Sequence, residues 1–165
     1  MGSELRPSGS TKAARAPSFL ALALADAEAG LLQRIKIVKL TVGQDETIHE
    51  TVYDVAGDPN NGATVEPDTC EPRGPGARQL CSVWRDPEFE PSEDAVYYAR
   101  VLENPSCRWS THLCNGLIGE GRPEACDSLP FPDVIQERAW TSPIWYYAEE
   151  RSRCRKTSRR LGFYQ

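Results

Sequence analysis

The chain has 165 residues, which suits a single domain with enough length to bury a core. Its hydrophobic fraction is 39%, its 13 prolines and 12 glycines favour short strands and loops over helices, and it has no apolar run of membrane-spanning length. The net charge of −5 divides into a basic end, residues 151–165, and an acidic remainder of 13 basic against 24 acidic groups. Such a body does not suit a protein that binds a phosphate backbone, so we expect no nucleic-acid partner.

The first 17 residues are small, polar and basic, and they predict a disordered leader. Residues 18–25, SFLALALA, follow as a short apolar run that resembles the core of a secretory signal. A first strand or short helix of the domain explains the same run, and its shortness argues against a cleaved signal peptide. Both interpretations stay open at this point.

A β-hairpin is predicted next. Residues 33–42, QRIKIVKLTV, are rich in β-branched side chains and predict one strand, and residues 47–55, TIHETVYDV, predict its return. Residues 43–46 supply a four-residue turn. Residues 56–80 contain four prolines and four glycines, and they predict a long loop that is either ordered but irregular or an insertion.

The strongest strand signal lies in residues 95–102, AVYYARVL, where only Arg100 interrupts the apolar character. A strand that is apolar on both faces must be covered on both faces. An acidic, proline-bounded turn precedes this strand, and Asn104-Pro105 ends it because proline cannot donate to a ladder. We expect the rest of the chain to cover this strand.

The remainder of the chain predicts loops and one closing strand. Residues 107–132 are loop-like, and residues 134–147, VIQERAWTSPIWYY, predict a closing aromatic strand with Pro143 at an edge or bulge. Residues 149–165 predict a basic, disordered tail. Five or six strands without a convincing amphipathic helix predict an all-β, immunoglobulin-like sandwich over residues 18–148, with long disulfide-stapled loops.

Six cysteines are many for a chain of this size. Five of them fall in the loop-rich half, where disulfides can hold segments that secondary structure does not. Free thiols and a zinc site remain alternatives, although no pair has the C-x-x-C spacing. The preferred bridge is Cys70–Cys81, which would restrain the flexible loop between them. The disulfide candidates are Cys70, Cys81, Cys107, Cys114 and Cys126.

Few residues predict catalysis. His49 is expected to face solvent, and His112 lies between Cys107 and Cys114, where a metal site and simple loop polarity are both open. The sequence contains no H-x-H, H-E-x-x-H or G-x-S-x-G motif and no phosphate-binding glycine loop. We therefore assign no catalytic residue, metal ligand or cofactor to this chain. A solvated acidic loop is the expectation for the carboxylates Glu88, Glu90, Glu93 and Asp94.

The aromatic residues are assigned to packing, because a small sandwich needs large buried side chains. An exposed aromatic platform for carbohydrate is the functional alternative. The predicted packing residues are Trp84, Tyr97, Tyr98, Trp140 and Trp145.

Five segments taken together resemble a known family. They are QRIKIVK, VYDVAGDPNNGA, CEPRGPGARQLCSVWRDPEFEP, AVYYARVLENPSCRWS and IQERAWTSPIWY, and the likeness extends from about Ala16 to Tyr146. The chain resembles the C-terminal part of large bacterial proteins that are classed as a domain of unknown function. Those proteins are similar to the PHP (polymerase and histidinol phosphatase) superfamily of metal-dependent phosphoesterases.

This resemblance implies a periplasmic or extracellular protein and a parent enzyme that uses divalent metal. In such proteins the histidine and aspartate ligands lie on the N-terminal catalytic part, and none of those motifs matches a position here. The expectation is a non-catalytic C-terminal β module, a fragment that packs against or supports the missing catalytic part. Two alternatives stay open, a free-standing secreted binding or adhesion domain and a small hydrolase in its own right.

Overall fold

The computed structural model describes residues 2–5, 15–43, 46–117, 121–128 and 130–148, and nearly half of these residues form strands. The helical elements among them are short: α1 (Trp109–Gly116) and a 3-10 turn at Glu124–Asp127. None of the helices in these ranges is long and apolar enough to cross a membrane. The strands are β1 Ser3–Leu5, β2 Ser18–Leu24, β3 Leu32–Val42, β4 Ile48–Gly57, β5 Thr64–Val65, β6 Pro72–Arg73, β7 Gln79–Arg85, β8 Ala95–Glu103, β9 Ser106–Cys107, β10 Val134–Ile135, β11 Arg138–Trp140 and β12 Ile144–Tyr146.

The main sheet has six strands and is organised around β8. Strand β8 pairs with β3 along one side and with β11 and β12 along the other. Strand β4 lies beyond β3, and β1 pairs in parallel with β12 at the opposite edge. The prediction of a dominant strand over residues 95–102 is confirmed, and its position inside the sheet explains its apolar sequence.

The predicted hairpin is also confirmed. Strands β3 and β4 pair antiparallel from Val42 opposite Ile48 to Arg34 opposite Gly57, with a bulge between Ile35 and Lys36. Because side chains alternate along a strand, Ile35, Ile37 and Lys39 share one face, and the even-numbered residues of β3 share the other. We call the side that bears Ile37 the inner face and the opposite side the outer face.

A second layer lies over the inner face. Strands β2 and β7 form an antiparallel ribbon in which Phe19 stands opposite Trp84. The ring of Phe19 lies 4.8 Å from that of Tyr97, and the ring of Trp84 lies 4.9 Å from that of Tyr53. The core between the layers is formed by Ile37, Ala95, Tyr97 and Tyr146. The predicted all-β, sandwich-like fold is confirmed, with a two-stranded second layer over a wider sheet.

The N-terminal residues correct one expectation. Residues 18–24 form a strand, in agreement with the strand interpretation of the apolar run. The prediction of a disordered leader is wrong for residues 3–5, which form β1. This segment is held in the sheet by backbone pairing with β12 rather than by apolar side chains. Its polar sequence therefore contains no strand signal. Residues 6–14 and the predicted basic tail, 149–165, lie outside the described residues.

The region predicted as loop contains more regular structure than expected. Strands β5 and β6 pair with each other, as do β9 and β10. The helix α1 was not expected. The hydroxyl of its Thr111 donates to the backbone carbonyl of Asp133 at 2.9 Å. The single closing strand predicted over 134–147 is instead three short strands, separated around Gln136 and around the segment that holds Pro143.

Two disulfides hold this region together. Cys70 is bonded to Cys107 and Cys114 to Cys126, each pair with Cα atoms 5.5 Å apart. The prediction that disulfides staple the loops is confirmed, but the preferred Cys70–Cys81 bridge is wrong. Cys81 lies in β7, opposite Leu22, and its thiol is exposed and free. The β2–β7 ribbon therefore holds Cys81 away from the loop that carries Cys70.

Candidate functional site

Among the described residues, the most buried charged side chains lie between the two layers. Lys39 projects from the inner face of β3, at the same parity as Ile35 and Ile37, and stands directly opposite Tyr97 of β8. Asp86 immediately follows β7 and extends toward them. The side chain of Asp86 is 0% exposed and that of Lys39 is 6% exposed. Two opposite charges are thus enclosed in an otherwise apolar core.

The three side chains form a closed network. The Nζ of Lys39 lies 2.7 Å from Asp86 Oδ2, and the hydroxyl of Tyr97 donates to the same oxygen at 2.7 Å. The other oxygen, Oδ1, accepts the backbone N–H of Glu88 at 2.9 Å. Lys39 also donates to the backbone carbonyl of Glu88 at 2.6 Å. A buried ion pair requires this degree of hydrogen bonding, because desolvation of each charge is costly.

The network keeps its tyrosines protonated. Burial raises the pKa of Tyr97 far above its usual range, and the hydrogen bond to Asp86 and its negative charge raise it further. Burial also raises the pKa of Tyr53, and Glu88 contributes in the same direction through a hydrogen bond of 2.7 Å. Both hydroxyls therefore act as neutral hydrogen-bond donors to carboxylates at any pH near neutrality.

This geometry fits an anchor better than a catalytic site. Both oxygens of Asp86 are occupied by donors from the protein, and its side chain is closed to solvent. A general base must reach a substrate proton, which Asp86 cannot do in this arrangement. The network instead fastens the turn after β7 onto the inner face of the sheet.

Three carboxylates of the acidic turn accept hydrogen bonds from other groups of the chain. Glu88 accepts from Tyr53, Glu90 accepts from both the N–H and the hydroxyl of Ser92, and Asp94 accepts the backbone N–H of Ala148 at 2.8 Å. The bonds from Ser92 hold the pKa of Glu90 below its usual value. Glu88 and Glu90 are exposed and therefore solvated, whereas Asp94 is half-buried. An open cleft of about 510 Å³ borders the turn, lined by Arg15, Ala16, Arg85, Asp86, Pro87, Phe89 and Pro91.

A second cluster brings His112 to the disulfide region. Its ring nitrogen and the sulfurs of Cys70 and Cys107 lie within 4.8 Å of one another. In the sequence, His112 lies between Cys107 and Cys114. In the fold, its cysteine neighbours are Cys107 and Cys70. In the disulfide the two sulfurs are not thiolates, which are the form that binds metal. These residues do not resemble the histidine and aspartate set of a PHP-type metal centre.

The remaining histidine is placed at the surface. His49 is exposed on β4, and its Nε2 lies 2.9 Å from the hydroxyl of Thr47. It stands opposite Thr41, one residue pair from the end of the β3–β4 ladder. The two histidines lie on different elements, His49 on β4 and His112 on α1.

The predicted packing residues divide into two groups. Tyr97 is buried in the core, Trp84 packs against it and Tyr98 is half-buried. Trp140 is 58% exposed and Trp145 is 40% exposed, so the prediction that they are buried packing residues is wrong within this chain. Trp140 stands beside Arg100 and Trp145 beside Val96, on the outer face of the sheet, which the ribbon does not cover.

The outer face of the main sheet carries apolar side chains with two glutamates beside them, Glu50 between Ile48 and Val52 on β4 and Glu4 of β1 opposite Trp145. At one level Leu40, Val96 and Trp145 stand side by side across three strands. Ile48 is 72% exposed and Val52 is 41% exposed on neighbouring β4. We define the outer apolar face as Leu40, Val42, Ile48, Val52, Val96 and Trp145. Exposed apolar areas of this kind mark surfaces that contact other proteins.

Sequence reasoning missed the Lys39–Asp86 pair. The available signal was the alternation of β3, which assigns Lys39 to the same face as Ile35 and Ile37. A lysine at such a position needs a buried partner. Its partner is 47 positions away in sequence, and nothing local identified Asp86 among several carboxylates.

One comparison with known proteins gives a result. The family model described as "Protein of unknown function (DUF3604)" matches residues 1–148. Neither the curated proteins nor the solved structures yield a match. The matched residues include both layers, the buried ion pair and the two disulfides.

Proposed function

The chain belongs to the family described as "Protein of unknown function (DUF3604)", and from this premise we propose that it is a non-catalytic β module that packs against the catalytic part of a larger metal-dependent hydrolase. The observation that carries the proposal is the outer apolar face. Its residues come from strands in the middle of the sheet as well as from its edges. A face of this composition is stabilised when another protein layer covers it.

The buried polar network supports a structural role over a catalytic one. Asp86, Lys39 and Tyr97 satisfy one another and leave no group directed at a substrate. In the PHP-related proteins that the chain resembles, the metal-binding residues lie on the catalytic part. That catalytic part is the partner in this proposal. In this proposal the module covers one side of that part and shapes its site from outside.

The setting proposed for this role is periplasmic or extracellular. Two disulfides in a region with little secondary structure suit an oxidising compartment, where such bonds persist. Reduction would loosen β5, β6, β9 and α1 relative to the sheet. The outer apolar face lies on the sheet, so we expect docking to tolerate changes in the loops.

The test is binding to a separately expressed catalytic part from a family member that carries the H-x-H motif. We expect the chain to bind it and Val52→Glu to weaken binding about tenfold or more, because the variant buries a charge in the contact. Leu113→Glu is the matched control, since Leu113 is exposed on α1, away from this face. Near-UV circular dichroism checks that both variants stay folded.

Two results would overturn the proposal. One is absence of binding by the folded wild-type chain, or equal binding by the two variants. The other is hydrolysis of phosphate esters by the isolated chain in the presence of Mn²⁺, lost in His112→Ala. The second result would favour the small-hydrolase alternative, in which His112 supplies the chemistry.

A further inference from the structure

Basic side chains gather at one end of the outer face, next to the outer apolar face. At the level of Arg100, the side chains of Trp140, Lys36 and Asp54 stand beside it across four strands. The next level of the same face adds one arginine on β3 and one on β11. These are four of the 13 basic groups in residues 1–150, which also carry 24 acidic groups, so an acidic chain concentrates positive charge here. We define the cationic end as Arg34, Lys36, Arg100 and Arg138.

Asp54 neutralises only part of this charge. Its Oδ1 lies 3.5 Å from the Nε of Arg34 and 3.9 Å from the Nζ of Lys36. Among the described residues, no carboxylate lies within ion-pair distance of Arg100 or Arg138. A carboxylate that comes from another protein would therefore meet two arginines that have no ionic partner in the described part of the chain.

The guanidinium of Arg100 is held in position before any partner binds. Its Nη2 donates to the hydroxyl of Tyr98 at 3.1 Å, and its Cζ lies 5.8 Å from the centre of the Tyr98 ring. Its Nε is buried and has no hydrogen-bond partner among the described residues. A preorganised side chain loses little conformational entropy on binding. Because Arg100 is already half-buried, a carboxylate that pairs with it is partly withdrawn from water, which strengthens the attraction.

The surroundings of Arg100 favour a protein as its partner. Trp140 stands beside it and is 58% exposed, and tryptophan and arginine are the residue types that most often dominate the binding energy of protein interfaces. On β8, only Tyr98 separates Arg100 from Val96 of the outer apolar face on this side of the strand. An apolar area bordered by charged side chains has the layout of a protein interface rather than that of a polyanion site.

We propose that the cationic end binds carboxylate side chains of the catalytic part, which would carry an acidic strip beside the apolar surface that covers the outer apolar face. This inference rests on the proposed function and adds the chemistry of the partner's surface. It also fixes the orientation of the partner, because Glu4 and Glu50 lie toward the other end of the outer face. A catalytic part turned end to end would bring its acidic strip to these glutamates, and like charges would meet.

A second copy of the chain does not match this face. Two sheets that pack face to face keep their strands nearly aligned. With a two-fold axis along the central strands, the level of Arg100 and Lys36 would face the same level of the second copy. With an axis across the strands, midway between the two ends, Glu50 would face Asp54 and Arg100 would face Val96. Each arrangement brings like charges together, so the complementary surface belongs to a different protein.

The test is the dissociation constant of the complex with the separately expressed catalytic part, measured by calorimetry. Arg100→Gln should weaken binding about tenfold. The matched control is Arg85→Gln, which removes the same charge from an exposed side chain on the ribbon and should change binding less than about twofold. Lys36→Gln is a second variant at the cationic end and should also weaken binding. Near-UV circular dichroism checks the fold of each variant.

A graded series separates a charge effect from a packing effect. The loss of affinity should rise from Arg100→Lys to Arg100→Gln to Arg100→Glu, because lysine keeps the charge but not the forked guanidinium, and glutamate repels the acidic strip. Raising NaCl from about 0.05 M to about 0.5 M should weaken wild-type binding and reduce its advantage over Arg100→Gln, because salt screens the attraction. Equal losses in the lysine and glutamate variants would overturn the inference.

The remaining outcomes distinguish this inference from the proposed function. Binding that Val52→Glu weakens, but that Arg100→Gln and Lys36→Gln leave unchanged, would overturn the inference and leave the proposed function standing. Absence of binding by the folded wild-type chain would overturn both. Self-association of the isolated chain that Arg100→Gln abolishes would overturn the inference in favour of a second copy.

Discussion

The two halves of this molecule are held together by different kinds of interaction. In the sheet half, the main sheet and the β2–β7 ribbon enclose aromatic side chains and the Lys39–Asp86 pair. In the loop half, which contains β5, β6, β9, β10 and α1, the two disulfides join short elements. The polar contacts there join segments that are distant in sequence, such as the side-chain bond of 2.9 Å from Asn61 to Asn104. A sequence with few long strands can thus remain ordered where covalent bonds replace a core.

The largest effect should come from unpairing the buried charges. Asp86→Ala leaves the ammonium of Lys39 buried without its partner, and we expect a loss of about 3–5 kcal/mol in the free energy of unfolding. Urea denaturation followed by fluorescence measures it. Lys39→Met/Asp86→Leu removes both charges and should recover most of that loss. If the free energy of unfolding of Asp86→Ala lies within about 1 kcal/mol of the wild-type value, the stability of the sheet half does not depend on this pair.

Removal of a disulfide should destabilise the loop half. The bridges close loops of 37 and 12 residues, and the chain-entropy relation gives about 4 kcal/mol for Cys70–Cys107 and about 3 kcal/mol for Cys114–Cys126. We compare Cys70→Ser/Cys107→Ser with Cys114→Ser/Cys126→Ser by denaturation and amide hydrogen exchange. Exchange should accelerate in α1 and β9 first, with β3 and β8 still protected. Equal acceleration in β3 would mean that the two halves unfold as one unit.

The smallest of the three changes concerns the tyrosine of the network. Tyr97→Phe removes one hydrogen bond to a charged group, and we expect a loss of about 2 kcal/mol. Because the pKa of Tyr97 is raised on folding, the unfolded chain loses this proton first as pH rises above about 10. Its contribution to stability is therefore complete below that pH and declines above it. The variant should show a shallower alkaline decline than wild type, and an unchanged slope would assign the decline to other groups.

The sequence predicted the sheet half better than the loop half, for a physical reason. Strands β3, β4 and β8 are long enough to show β-branched and apolar patterns. Their predicted ends lie within one or two residues of the observed ends. The helix α1 has eight residues and depends on bonds to distant segments, so its own sequence did not indicate a helix. Disulfide connectivity is a property of the folded chain, and six cysteines allow 15 pairings.

The buried site was only partly accessible to the same reasoning. Alternation predicts that Lys39 faces inward with Ile37, but the identity of its partner depends on how the turn at Asp86 folds over the sheet. Trp140 and Trp145 were assigned to the core from their residue type, whereas both side chains lie on the outer face of the sheet. The order of the strands in the sheet must be known before these two side chains can be assigned to the surface.

The uncharged edge strand β2 also has a consequence for how the chain behaves at high concentration. A strand of seven residues without charge or proline is the kind of segment that stacks into cross-β fibrils when it meets copies of itself in open-ended arrays. Among the described residues β2 pairs with β7 alone, so the N–H and C=O groups of its even-numbered residues are open to such an array. A lysine at Leu22 should remove this hazard and leave the bonds to β7 in place.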